Sequence, residues 1–446
     1  MQSTIRKVYS FIVAVLLAGC VFAQTTKSSD TTKAPEVKQV MRTVAIKGGR
    51  LLTVSHGVVE DGVLVMSNGK ITAVGGPETA IPEGAQVIDA KGMTVYPGLI
   101  DSETHLGLTE IEADPMTNDL VEPSDNVFPQ MHTYDAFHAE SELIPVARMN
   151  GITNAVVAPA SRDTLPGQDI FIQLDGVYQP DYILVRDLAL PLNFTGEQRR
   201  NESFERAKFP QTRMGMAAQL RQAFLDAQDY ERKQEEWSKK GEADKKKGQP
   251  PKRDLKLEAL LPYLQGKKFV VLAANEPSDV ETAVALAREF NLKFVLNHLS
   301  HAGPVLDMVA ALKVPVIFGP IYDMPKDTER YDAVYRVPAE LHKRGVRFAL
   351  ASYDAHNSRN LPYAAGYAVA FGLPYDEALR SITLTPAEIW GVADRLGSLD
   401  VGKDANVVIA TGDPLDVKSD VTQVFIAGRQ IPMVSRQTML RDQYNH

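Results

Sequence analysis

Pro97-Gly98-Leu99-Ile100-Asp101-Ser102-Glu103-Thr104-His105-Leu106-Gly107 is the stretch on which the reading of this chain turns. It closes an apolar β-rich run, Thr94 to Ile100, with a burst of polar residues. In a strand, residues two apart share one face, so Glu103 and His105 point the same way. At the C-terminal end of a barrel strand that face looks into the mouth, where barrel enzymes keep their chemistry. A carboxylate and an imidazole so placed suit Zn²⁺ or a similar divalent ion. On its own, Glu-x-His recurs by chance in many loops.

Outward from this stretch, apolar runs alternate with helical patterns. The candidate strands are Thr94 to Ile100, Thr153 to Ala158, Tyr182 to Arg186, Phe269 to Ala273, Lys293 to Asn297, Val314 to Phe318 and Arg347 to Ala351. Near-continuous apolar runs are expected of strands covered on both faces. Helical patterns follow at Val280 to Asn291 and Pro304 to Leu312. This predicts an α/β architecture, a (β/α)8 TIM barrel over 97–393. Seven runs stand out, an eighth does not, and the pattern alone leaves a doubly wound sheet open. Short β runs punctuated by Gly48-Gly49, Asn68-Gly69 and Gly75-Gly76 fill 43–96, and Asn68-Gly69 is a strong hairpin signal. Similar runs fill 394–437. The two pieces predict a small β-sandwich built from both chain termini. Between them, 225–256 is dense in Lys, Glu, Asp and Gln and reads as a solvated helix and loop on the barrel rim, with a partner-docking arm as the alternative.

The 446 residues are 44% hydrophobic and 23% charged, which is ordinary globular composition. The formal net charge of −8 argues against a nucleic-acid-binding surface as the main function. One cysteine, Cys20, rules out an intramolecular disulfide or a thiolate metal cluster, so any metal must be held by His, Asp or Glu. Arg6 and Lys7 followed by the apolar run Val8 to Leu17 read as a signal peptide over 1–23, too short to span a bilayer. Ordinary cleavage after Ala23 competes with a lipobox reading of Leu17-Ala18-Gly19-Cys20, in which Cys20 becomes a membrane tether. A flexible polar tether follows over 24–42. The expected location is outside the cytoplasm, periplasmic or secreted.

The Pro97-Gly98-Leu99-Ile100-Asp101 run resembles the amidohydrolase superfamily, in particular its exported imidazolonepropionase-like members. Three further blocks carry the likeness: Asn150-Gly151-Ile152-Thr153, Ala378 to Ala387, and Gly397-Ser398-Leu399-Asp400-Val401-Gly402-Lys403-Asp404-Ala405-Asn406. The last marks the return from barrel to sandwich in these hydrolases. The resemblance implies His-x-His after the first barrel strand, a His after the fifth, a His after the sixth and an Asp after the eighth. Glu103 stands in the first slot and His105 in the second. Ala273 or Asn275 occupies the fifth-strand slot, His298 the sixth, and Tyr353 takes the most direct eighth-strand register with Asp354 one residue later.

A mononuclear centre of Glu103, His105 and His298 follows as the expectation, since three protein ligands plus water is the usual catalytic zinc arrangement. Asp354 and His298 are the expected catalytic residues, with Asp354 also a candidate ligand and acceptor of the water's proton. The metal would be divalent, zinc first. The expected activity is hydrolysis of a non-peptide C–N bond, an amide or cyclic amide, in a small-molecule substrate. The alternative is a catalytically degraded amidohydrolase-like protein that binds a ligand or pairs with a related amidohydrolase. His301 and His356 are candidates to line the pocket, while His132, His138, Arg148 and Arg162 read as surface residues.

Overall fold

The computed structural model describes residues 42–195, 209–210, 212–246 and 248–445. The expected signal peptide, Cys20 and nearly all of the tether lie outside the described residues. At the start of the described chain come β1 (Val44–Leu52), β2 (Val58–Ser67), β3 (Lys70–Gly75), β4 (Gln86–Asp89) and β5 (Thr94–Pro97). Then follow β6 (Leu99–Thr104), β7 (Ile152–Val157), β8 (Ile170–Gln173) and β9 (Ile183–Val185). Next are β10 (Leu190–Asn193), β11 (Val270–Ala274), β12 (Phe294–His298), β13 (Val316–Phe318) and β14 (Phe348–Leu350). The C-terminal part carries β15 (Val407–Ala410), β16 (Val421–Ile426) and β17 (Arg429–Ile431).

Strands from both ends of the chain form one eight-stranded sheet, ordered β17-β16-β15-β5-β1-β2-β3 with β4 pairing β1. The joint is the antiparallel β15–β5 pair, Val407 opposite Pro97 and Ala410 opposite Thr94. Asn68-Gly69 makes the β2–β3 hairpin turn, both residues in the left-handed region that this dipeptide tolerates. Asn406, from the Gly397 to Asn406 block, binds this sheet to the central strands. Its Nδ2 donates to Asn154 Oδ1 (2.7 Å) and its Oδ1 accepts from Ala427 N (2.7 Å).

Five strands, β10 to β14, run parallel in sequence order, and β6 pairs parallel with β7. Alternate residues serve opposite faces. Ile100, Val156, Phe171, Ala189, Val271, Val295, Ile317 and Ala349 share one apolar interior cluster. Their neighbours Leu99, Val157, Leu272, Leu296 and Leu350 pack in another, with helix residues such as Phe224, Val284 and Leu341. Backbone hydrogen bonds bridge the seams between the four- and five-stranded sheets: Tyr353 N to Glu103 O (2.9 Å) on one side, Asp169 N to Ala189 O (3.0 Å) and Leu188 N to Asp169 O (2.8 Å) on the other. The arrangement is of TIM-barrel type. No helix among the described residues is long and apolar enough to cross a membrane.

Two sequence expectations need correction. Thr94 to Ile100 is not one strand: it divides between β5 in the terminal sheet and β6 in the central one. Tyr182 to Arg186 is not a barrel stave, because β9 pairs antiparallel with β8. The stave in that region is β10, missed because it is short and carries Pro191. Proline cannot donate to a ladder, but β10 is an edge strand of its sheet, where that loss is tolerated. The charged stretch begins in the helix Arg213–Ser238, which buries Leu220, Phe224, Ala227 and Tyr230 and carries i,i+4 ion pairs such as Lys233–Asp229 on its exposed side, and runs on past the helix end.

Gly98 sits where β5 turns into β6. A β-carbon there would collide with the fully buried Thr153 side chain. Gly98→Ala is expected to destabilise the protein by about 2 kcal/mol through overpacking, read as a lower urea midpoint at unchanged slope.

Candidate active site at the strand ends

The polar residues of β6 enter the interior as a stack of buried acids. Asp101 accepts from Ser352 N (3.0 Å), Ser352 Oγ (2.6 Å) and Ser358 Oγ (2.8 Å). Burial still pushes its carboxyl up to about 6. Glu103 is 3% exposed, and its Oε2 accepts from Asn297 Nδ2 at 2.6 Å. Burial, with the nearby Asp101 charge adding, raises its carboxyl to about 8 against that one hydrogen bond.

Asn297 lies on the same interior face, by alternation with Val295. Its Oδ1 accepts from His298 N (2.9 Å) and from the Tyr353 hydroxyl. That hydroxyl also stands 3.0 Å from Ile317 O. Glu103, Asn297 and Tyr353 therefore form one hydrogen-bonded chain across β6, β12 and the end of β14. Gly319 makes room for it: a β-carbon there would sit 2.9 Å from the Tyr353 ring.

Above this chain lie the two imidazoles. His105 Nδ1 is 2.9 Å from Ala158 O; a carbonyl can only accept, so Nδ1 carries the proton and Nε2 a free lone pair. The His298 ring stacks on Tyr353, centroids 4.3 Å apart, and Nε2 lies 3.5 Å from Ser161 Oγ. Burial lowers both rings, His298 to about 4, where the Gly319 carbonyl opposes the fall and the charge of His105 adds to it. Both are neutral near pH 7, the state in which imidazole binds a metal. Simple alternation would send His298 to the outer face. Left-handed φ values at His298 (70°) and Leu299 (66°) bend the strand end and return the ring to the mouth.

A left-handed Tyr353 (φ 55°) resolves the eighth-strand register. Tyr353 takes the interior position. Asp354 turns aside, and its Oδ1 caps the following turn by accepting from Asn357 N at 2.7 Å. The Asp354 charge still acts on His105. In the fifth-strand slot the interior position is Ala273, in register with Asn297. Asn275, beyond it, is buried with its Oδ1 unpartnered. Among the described residues, no three His, Cys, Asp or Glu side chains are gathered tightly enough to hold an ion together.

The remaining candidates stand apart from this chain. His301 is buried and its Nδ1 pairs with Glu329 (2.8 Å). His132 pairs with Asp187 (2.6 Å) and His138 with Asp119 (3.0 Å). Arg148 donates to Leu174 O (3.0 Å), while Arg162 and His356 are exposed.

Sequence reasoning missed Asp169. It is fully buried, and neither carboxylate oxygen has a hydrogen-bond partner. The signal was an acid set inside the apolar alternation of Asp169-Ile170-Phe171-Ile172.

Buried acids and neutral imidazoles thus stand at the C-terminal ends of parallel strands, the place where TIM-barrel-type enzymes keep their sites. The amidohydrolase family pattern matches residues 269–431. An amidohydrolase, tasK, of Hapsidospora irregularis is 27% identical over 390 residues, 82% of this chain and 39% of that protein. The chain thus spans well under half the length of that relative. An imidazolonepropionase of Geobacillus kaustophilus is 46% identical over 56 residues, 11% of this chain and 13% of its own. The crystal structure of an amidohydrolase from Thermotoga maritima superposes with a TM-score of 0.80 at 29% identity, covering 88% of this chain and all of that one. Residues 269–431 match the amidohydrolase family, and most of the chain resembles amidohydrolases in sequence and fold.

Members of this superfamily typically bind divalent metals. Taken singly, the side chains have two traits that such an ion uses, although no three of them among the described residues are gathered around one point. Each imidazole is neutral and has a ring nitrogen tied to a backbone carbonyl, as metal-binding histidines usually do. Burial dominates the acids: it pushes up the carboxyls of Asp101, Glu103 and Asp169, and among the described residues the Asp169 carboxyl has no hydrogen-bond partner.

Proposed function

We propose that the protein hydrolyses a C–N bond other than a peptide bond, an amide or cyclic amide, in a small molecule outside the cytoplasm. The single observation that carries this reading is the pair of neutral imidazoles, His105 and His298, held at the strand ends over buried acids. His105, His298 and Glu103 would hold one divalent ion, zinc first, with Glu103 exchanging its bond to Asn297 for the ion. Such an ion, when bound, lowers the pKa of its water toward about 7 and polarises the scissile carbonyl.

The chain's own residues do the rest. Ala158 and Gly319 carbonyls fix the two rings. Tyr353 supports the His298 ring from one face and keeps water from it. Asp354, one oxygen spent on Asn357 N, takes the water's proton on the other and passes it to the departing nitrogen. Export, with ordinary cleavage after Ala23 or a membrane tether at Cys20, belongs to this proposal as well.

A second reading, a barrel kept as a binding or partner subunit without catalysis, is favoured by one observation. Ala273, Asn297 and Tyr353 fill interior positions where donors would be needed, and three donors are not gathered. Metal analysis of untagged full-length protein separates the two. Catalysis predicts about one equivalent of divalent metal per chain, and hydrolysis lost on chelation and restored by zinc. Less than about a tenth of an equivalent, with none taken up on addition, would leave the binding subunit standing.

A further inference from the structure

We propose that a tyrosine-walled cavity between the helix Leu361–Ala370 and the β15–β16 connection is a seat for a small quaternary ammonium ion. The cavity shares no residue with the strand-end site, and the inference goes beyond the hydrolytic reading without depending on it.

The helix Leu361–Ala370 buries Leu361, Ala364, Ala365 and Ala368. Tyr363, Gly366, Tyr367 and Ala370 follow the spacing i, i+3, i+4, i+7 and so share another face. The connection from β15 to β16 lies against that face. It comes closest at Gly366, where a β-carbon would stand 2.6 Å from Leu415 O. A cavity of about 410 Å³ opens between the two, within the roughly 300–1,000 Å³ of small-ligand pockets. Its walls include Tyr363, Tyr367, Tyr375, Asp413, Asp416 and Val417. Tyr367 is 47% exposed, so the cavity can be entered from solvent.

The rings are fixed before any ligand arrives. The Tyr375 hydroxyl donates to Asp413 Oδ1 (2.9 Å), and the Tyr363 hydroxyl to Asn150 Oδ1 (3.4 Å). Tyr367 meets Tyr322 edge-on with centroids 5.6 Å apart, and Tyr335 at 5.9 Å. An aromatic face is electron-rich and attracts a cation within about 6 Å of the ring centre, which is how aromatic cages hold quaternary ammonium groups. The acids add the matching sign. Asp413 Oδ1 also accepts from Leu415 N (2.8 Å), and Asp416 Oδ1 accepts from Lys418 N (3.0 Å). These partners are a hydroxyl and backbone N–H groups, and among the described residues no lysine or arginine lines the cavity. Lys418 lies beyond it on the exposed connection. Arg50, whose charge reaches Tyr375, is paired with Glu60 at 3.0 Å. A primary ammonium is compact and strongly hydrated, and its N–H groups would need partners here. A quaternary one has no N–H and presents methyl groups to the rings and to Val417.

The test titrates full-length protein in chelator with choline chloride by calorimetry, sodium chloride holding the ionic strength constant. One saturable site is expected, with a dissociation constant of about 1 mM or below. The neutral tert-butyl analogue of choline, carbon in place of nitrogen, should bind at least about tenfold more weakly. Tyr367→Leu should weaken choline at least about fivefold, while Tyr367→Phe, which keeps the ring, should stay within about twofold. Asp413→Asn can still accept from Tyr375 and Leu415 N but loses the charge, and should cost about fivefold. Thermal unfolding of each variant alongside wild type shows that the fold is kept. No saturable choline binding by the wild type, or equal affinity for the neutral analogue, would overturn the ammonium seat. Wild-type affinity in folded Tyr367→Leu and Asp413→Asn would overturn its location between these walls. Metal content and amide hydrolysis enter none of these readings, so the hydrolytic proposal stands or falls separately.

Discussion

Glu103→Gln will stabilise the metal-free protein by about 4 kcal/mol at pH 8, and the gain will shrink below about 1 kcal/mol at pH 5. Glu103 is buried and its carboxyl titrates near 8 in the folded chain, against 4.5 for an ordinary glutamate. Between those values the folded state holds a proton that the unfolded state releases. Stability therefore falls as pH rises through that window, by about 1.4 kcal/mol per unit. Asp101, raised to about 6, adds the same sign of loss over the lower part of the range. Glutamine keeps the shape and, through its carbonyl, the bond from Asn297 Nδ2, but never has to ionise in the interior. Urea unfolding of both proteins at pH 5, 6, 7 and 8 in chelator measures the difference. A gap that stays flat with pH would mean that Glu103 is ionised throughout and compensated. The same substitution should weaken metal uptake, so that stability and site chemistry trade against each other at one residue.

What could be read from the sequence, and what could not, follows physical lines. The stretch ending Asp101-Ser102-Glu103-Thr104-His105 was legible because an apolar strand closing on polar residues needs no tertiary context. The terminal pieces were legible through their turns, Asn68-Gly69 above all, although they join into one hydrogen-bonded sheet. β10 was hidden by Pro191, whose acceptability depends on an edge position that only topology supplies. The rest of the site was hidden by backbone bends. Left-handed φ at His298 and Tyr353 overrides strand alternation, returning one ring to the mouth and turning the Asp354 carboxylate to a cap. Such conformations in non-glycine residues cost of order 1–3 kcal/mol each, and they cluster where function requires them. Asp169 was hidden for another reason: its lack of partners is a property of packing, not of spacing.

His298→Ala should abolish metal uptake and reduce kcat/KM by at least about a thousandfold, while Asp354→Asn should keep the metal and lose roughly a hundredfold or more. The two residues divide the work. The His298 ring, neutral and clamped between the Gly319 carbonyl and the Tyr353 face, is placed to donate a lone pair; alanine at this position removes the donor and leaves a void against Tyr353. Two protein ligands would then remain from the three-residue set, short of the number a catalytic zinc site uses. Asp354 lies to the side, its Oδ1 engaged with Asn357 N, and its charge acts on His105 rather than on the Glu103 layer. Neutralising it leaves the cap and the ion's donors in place and removes only the proton acceptor. Hydrolysis of a panel of small linear and cyclic amides, followed by amine release alongside metal content, reads both outcomes. Equal metal loss in the two variants would make Asp354 a ligand, and full activity in His298→Ala would move the chemistry away from the strand ends.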